Sequence, residues 1–96
     1  GTQLQMDELN KTIVFSRGKL IFIFNFHPTA SIPDYAFQVP ESGNYKIILN
    51  SDSSIFGGHN RISEDLVYPA KLNKTSGLPE LRIYNTNRTA VVLLKE

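Results

Sequence analysis

A chain of 96 residues is long enough for one domain with a single core and far too short for a (β/α)8 barrel enzyme, which needs about 250 residues. Ten Lys and Arg stand against nine Asp and Glu, so there is almost no net field to steer a polyanion, and nucleic acid is not an expected partner. No apolar run approaches the ~20 residues that span a bilayer, and with no cysteine the chain depends on neither disulfides nor thiolate metal sites.

Residues 1–9 are ambiguous: "QLQM" reads either as an edge strand or as the end of an interdomain linker. Gly1 reads as a cloning scar, ahead of a fragment excised from something longer. Over residues 10–96 apolar alternation recurs in short runs separated by turn residues, and no window sustains helical spacing. The pattern predicts an all-β domain, an antiparallel β-sandwich of Greek-key type.

In "TIVFSRGKLIFIFNF" two apolar runs flank Arg17-Gly18, a tight connection in which Gly18 can take positive φ, and the segment predicts a hairpin. "DYAFQV" sets Tyr35, Phe37 and Val39 against Ala36 and Gln38. "PESGNYKIIL" follows with a turn and a strand carrying Tyr45, Ile47 and Leu49, and these two strands are expected to pair. The last third gives "ELRIY", a turn at "NTNR" and "TAVVLL", which are expected to form a C-terminal hairpin.

Two of these strands are apolar on both faces. In "KLIFIFNF", Leu20, Phe22, Phe24 and Phe26 share one side, while Ile21 and Ile23 share the other before it turns polar at Asn25 and His27. In "AVVLL", Ala90, Val92 and Leu94 oppose Val91 and Leu93. The outer face of an antiparallel sandwich normally meets water, so such strands need a second cover, either the domain's own loops or a partner domain. The sharper expectation assigns Ile21, Ile23, Val91 and Leu93 to the partner side. Ile21→Lys or Val91→Lys would then spare the isolated domain and destabilise only the larger protein.

Candidate chemistry is sparse. Asp7-Glu8 and Glu64-Asp65 are sequence neighbours, which in extended chain point to opposite faces and cannot share one bond. His27 and His59 are the only histidines and do not make a closed zinc set. No serine sits in a G-x-S-x-G elbow, and "FGGH" lacks the pattern of a phosphate loop. No catalytic set, metal set or cofactor is expected. The sequons at Asn10, Asn73 and Asn87 read as Asn/Thr turn chemistry. A secreted adhesion sandwich that used them for glycosylation is a rival reading.

Taken in order, "IVFSRGKLIFIFNFHPT", "DYAFQVPESGNYKIILNSD", "FGGHNRI" and "LRIYNTNRTAVVL" closely resemble the C-terminal all-β domain of 1,4-α-glucan (glycogen or starch) branching enzymes of the α-amylase family. The likeness runs from Ile13 to Leu94. It implies a cytoplasmic, multidomain parent whose (β/α)8 barrel cleaves an α-1,4 bond and remakes it as an α-1,6 branch by a retaining mechanism. The family's catalytic carboxylates belong to that barrel, and none maps onto this sequence. The resemblance therefore implies a non-catalytic accessory domain whose partner is the barrel of the same polypeptide.

Asn50, Ser51, Asp52, Phe56, Gly57, Gly58 and Arg61 correspond to the family's characteristic loop. Local chemistry favours a structural or packing role for it: Asp52 ties the turn, Phe56 plugs a gap and the glycines allow the bend. A glucan subsite is the lesser alternative. An α-glucan-binding module, stacking sugars on Tyr35, Tyr68 or Tyr84, is the alternative at the level of the whole domain.

Overall fold

The structure is a computed structural model and describes residues 2–28, 31–51 and 67–96. These residues form eight strands: β1 (Thr2–Asp7), β2 (Thr12–Arg17), β3 (Leu20–Asn25), β4 (Ile32–Gln38), β5 (Gly43–Asn50), β6 (Val67–Leu72), β7 (Pro79–Asn85) and β8 (Thr89–Lys95). All pairings are antiparallel, in the order β1-β2-β3-β8-β5-β6-β7-β4. The stretch β8-β5-β6-β7 has the spatial order of a Greek key.

The sheet folds over at β6, which pairs with β5 through Val67–Ala70 and with β7 through Lys71 and Leu72. One layer is then β1-β2-β3-β8-β5 and the other β7-β4, with the core between them. The two free edges meet through side chains, since Gln5 of β1 donates to the Tyr35 hydroxyl of β4 at 2.6 Å and that hydroxyl donates to Asp7 Oδ2 at 3.0 Å. Residues 2–7, open in the sequence between linker and edge strand, are a strand paired to β2.

The β2–β3 hairpin forms as the sequence predicts, with Arg17 opposite Leu20. Its two-residue turn has φ of 59° at Gly18 and no positive φ at Lys19, the arrangement of a type II′ turn led by glycine.

The other two expected pairings do not form. β4 pairs with β7, and β5 with β6 and β8. β7 pairs with β4 and β6, and β8 with β3 and β5, so "NTNR" turns between layers instead of closing a hairpin. At this turn Thr86 and Thr89 are buried. Thr86 Oγ1 donates to Thr89 Oγ1 at 3.0 Å, and Thr89 Oγ1 donates to the Thr86 carbonyl at 2.7 Å. The corner satisfies itself internally, Arg88 takes a φ of 55°, and the chain crosses the core instead of running back along its own ladder. Leu81 and Ile83 of one layer and Val91 and Leu93 of the other belong to the same buried core.

That core overturns one expectation. Ile21, Ile23, Val91 and Leu93 are 1%, 2%, 3% and 0% exposed and belong to this domain's own interior, not to a partner-facing surface. Register explains it: Ile21 opposes Leu93, and Ile23 opposes Val91, on the side that looks at β4 and β7. The polar residue that suggested an outward side, Asn25, is itself buried. It donates to Asn85 Oδ1 at 3.2 Å, and Asn85 Nδ2 donates to Thr12 Oγ1 at 3.0 Å. A satisfied buried network lets an inward face end in asparagine.

Candidate functional site

With those residues facing in, the alternate positions of the same strands face out. Register places Ile13 beside Phe24 and Phe15 beside Phe22. It also puts Phe22 beside Val92, Phe24 beside Ala90, Leu20 beside Leu94, and Leu49 of β5 beside Val92. The outer face of the β1-β2-β3-β8-β5 layer therefore has an apolar centre on β2, β3 and β8, half-buried there and open at Leu49, Met6 and Phe26, while the exposed Gln3 beside Phe15, Arg17 beside Leu20 and Lys46 beside Leu94 make its margin polar.

Aromatic rings run diagonally through it. Phe15 stacks on Phe22 at 4.9 Å and on Phe24 at 5.7 Å, and Phe24 stacks on Phe26 at 6.1 Å. Stacked pairs of this kind add about 0.5–1.5 kcal/mol beyond their burial and hold the rings in one orientation.

The outer face of the opposite layer is different in kind. Along β7, Glu80, Arg82 and Tyr84 alternate with the buried Leu81 and Ile83. Arg82 bridges to Asp34 and to Glu80, each at 3.1 Å, and Asn73 donates to Glu80 at 2.9 Å beside a 270 Å3 surface hollow. One outer face thus presents a network of ion pairs and the other an apolar centre with Arg17 and Lys46 at its margin, and only that centre calls for a cover.

The sequence-predicted loop divides. Asn50 is buried at the end of β5 opposite Val91, and Ser51 extends the ladder. Ser51 N–H donates to the Ala90 carbonyl at 2.9 Å, and its hydroxyl accepts from the Ala90 N–H at 2.7 Å. Asp52, Phe56, Gly57, Gly58 and Arg61 lie outside the described residues.

Of the proposed sugar-stacking tyrosines, Tyr35 is buried in the core with its hydroxyl engaged, so it presents no face to a ligand. Tyr68 is half-buried against the core opposite Tyr45, and Tyr84 alone of the three is exposed. The three sequon asparagines sit in turns. Asn10 donates to Asp7 Oδ2 at 2.7 Å, Asn73 Oδ1 accepts from the Thr75 N–H at 2.9 Å, and Asn87 donates to the Pro28 carbonyl at 3.1 Å.

Sequence reasoning missed the outer-face roles of Ile13, Phe15 and Met6. The signal was available, because a hairpin centred on Gly18-Lys19 puts Phe15 directly opposite Phe22. Among the described residues no group of three or more His, Asp or Glu is placed to hold a metal ion.

The sequence profile described as "Alpha amylase, C-terminal all-beta domain" matches residues 4–96. The chain belongs to this family. Its relatives carry the name 1,4-alpha-glucan-branching enzyme. The Saccharomyces cerevisiae protein is 48% identical over 91 residues, covering 93% of this chain and 13% of that protein. The Eremothecium gossypii protein is 46% identical over 90 residues, covering 92% of this chain and 13% of that one. A chloroplastic/amyloplastic relative from Oryza sativa subsp. japonica is 38% identical over 88 residues, covering 92% of this chain and 11% of its own length. This alpha-amylase C-terminal all-beta domain spans only about an eighth of these relatives, so most of such a polypeptide lies outside it.

Proposed function

We propose that this chain is the C-terminal accessory domain of a cytoplasmic 1,4-α-glucan branching enzyme, and that it docks the outer face of its β1-β2-β3-β8-β5 layer on the catalytic barrel and stabilises it. The parent would move α-1,4-linked chains to α-1,6 branch points with carboxylates supplied elsewhere in the polypeptide. In this domain Asp34, Glu41 and Glu80 are held in ion pairs with Arg82 or Lys95 on the surface, an arrangement that serves structure and not glycosyl transfer.

The observation that carries the docking reading is the asymmetry of the two outer faces. An apolar surface of stacked phenylalanines over β2 and β3, continued by Val92 and Leu94 of β8, is what a domain keeps when another domain covers it. Each large side chain that passes from exposed to fully buried gains about 1.5–3 kcal/mol, so a few such positions suffice to couple the stability of two domains.

Phe22→Asp tests this. In the full-length enzyme it is expected to lower the melting temperature and shorten the half-life of activity, while the 96-residue chain keeps its β-sheet circular dichroism. An unaltered full-length enzyme would sink the docking reading. Retardation of the wild-type domain by glycogen in affinity electrophoresis, lost in Tyr84→Ala, would promote an α-glucan-binding module in its place.

A further inference from the structure

Phe26 stands apart from the other aromatic residues of the outer face. It follows the last residue of β3, is 63% exposed, and is fixed at its backbone, where its N–H donates to the Lys11 carbonyl at 2.8 Å. Its ring continues the stack of Phe15, Phe22 and Phe24, lying 11° from parallel to Phe24. An apolar hollow opens on each side of it. One, of 280 Å3, lies toward β1 and is lined by Met6, Ile13 and Phe26, and also by Asp7, Glu8, Lys11 and Thr12. The other, of 370 Å3, lies toward β8 and is lined by Phe24, Phe26 and Ala90, and also by Asn25, Ser51, Arg88 and Thr89. A dry apolar cavity of about 150 Å3 is enough to hold a benzene ring, so each hollow has room for a large side chain.

Binding energy at protein interfaces concentrates where a rigid aromatic residue and adjoining pockets are desolvated together, and the surrounding contacts mainly exclude water. At the centre of this face Leu20 and Leu94, and Phe22 and Val92, are cross-strand neighbours and half-buried. Relief is found at Phe26, a fixed ridge between two depressions.

Resting on the docking reading above, we infer that Phe26 is the anchor of the interface with the rest of the polypeptide, and that the covering surface inserts one apolar side chain into each hollow so that the pair straddles the Phe26 ring. The occupant is the remainder of the same chain. The relatives carry nearly seven-eighths of their length outside the matched region, and an apolar centre of stacked phenylalanines inside a polar margin of Gln3, Arg17 and Lys46 has the anatomy of an interface with a desolvated core and a wet rim.

The test uses the full-length enzyme and reads the rate at which a protease cuts the junction ahead of Thr2 under native conditions, a measure of how often the domain lifts off. Three variants are compared with wild type: Phe26→Ala removes the ridge, Ala90→Phe fills the larger hollow while keeping the ridge, and Phe22→Asp disrupts the centre of the face. Both Phe26→Ala and Ala90→Phe are expected to raise the cutting rate at least tenfold. One removes bulk and the other adds it, so a shared effect reports lost complementarity.

If Phe22→Asp accelerates cutting and Phe26→Ala does not, the anchor is overturned and docking stands. If Ala90→Phe alone is without effect, no side chain occupies that hollow and the straddled arrangement is wrong. If none of the three changes the rate, the docking reading falls with the inference. Circular dichroism of each variant guards against misfolding. Should Ala90→Phe fail to fold, Phe26→Ala decides, because so exposed a ring contributes little to the domain's own core.

Discussion

Tyr35 shows how one side chain closes the sheet and also sets an alkaline limit on stability. Burial, together with the Asp7 carboxylate that its hydroxyl meets at 3.0 Å, pushes the phenol up to about 12, while the hydrogen bond from Gln5 works the other way. The unfolded chain ionises a tyrosine near pH 10, so the folded form gains stability that is intact below about pH 10 and is lost progressively toward pH 12. A two-unit difference corresponds to about 2–3 kcal/mol at most. Urea midpoints measured from pH 9 to 12 should fall steeply for the wild type and less steeply for Tyr35→Phe. Equal slopes would assign the effect to Tyr45 and Tyr68, whose phenols burial also raises. Neither this latch nor the Asn25–Asn85–Thr12 network was legible in the sequence. Alternation shows which residues share a face, but a buried asparagine looks like a surface one until its partner, 60 residues away, is located.

For whole strands, the sequence revealed where they lie and that β3 and β8 are apolar on both sides, but not which side looks inward. Both parities of "LIFIF" and "AVVLL" satisfy the same alternation rule, so only the register against neighbours could decide. A sharp contrast follows within β8. Val91→Lys places an unpaired ammonium in the core at a cost of several kcal/mol, comparable with the ~5–15 kcal/mol that holds a domain together. It should abolish the cooperative thermal transition of the 96-residue chain, whereas Val92→Lys, one residue along on the outer face, should leave it. A wild-type-like melt for Val91→Lys would show that β8 is turned the other way. The pairings were misjudged for a related reason. Short connections such as Val39–Ser42 and Thr86–Arg88 look like hairpin loops, yet each carries the chain from one layer to the other.

At the level of the molecule, fold class and family were legible, because period-two alternation and ordered motifs survive in the chain without any knowledge of topology. The asymmetry between an ion-paired face and a face with an apolar centre was not, since it depends on how the sheet folds over at β6. That asymmetry has a consequence for the domain when separated from its parent. Sedimentation velocity should show the 96-residue chain self-associating as its concentration rises, and Phe22→Asp should return it to a monomer. A wild-type chain that stays monomeric at high concentration would indicate that its outer face is already adequately screened.

The place of β8 between β3 and β5 also bears on biosynthesis. The seven other strands among the described residues leave the ribosome before the one that must slot into the middle of the main layer. Until then the nascent polypeptide holds two unzipped halves with their inner edges bare. A premature stop a few codons ahead of Thr89 would remove the seam that joins them, and would be felt far more severely than the loss of an edge such as β1.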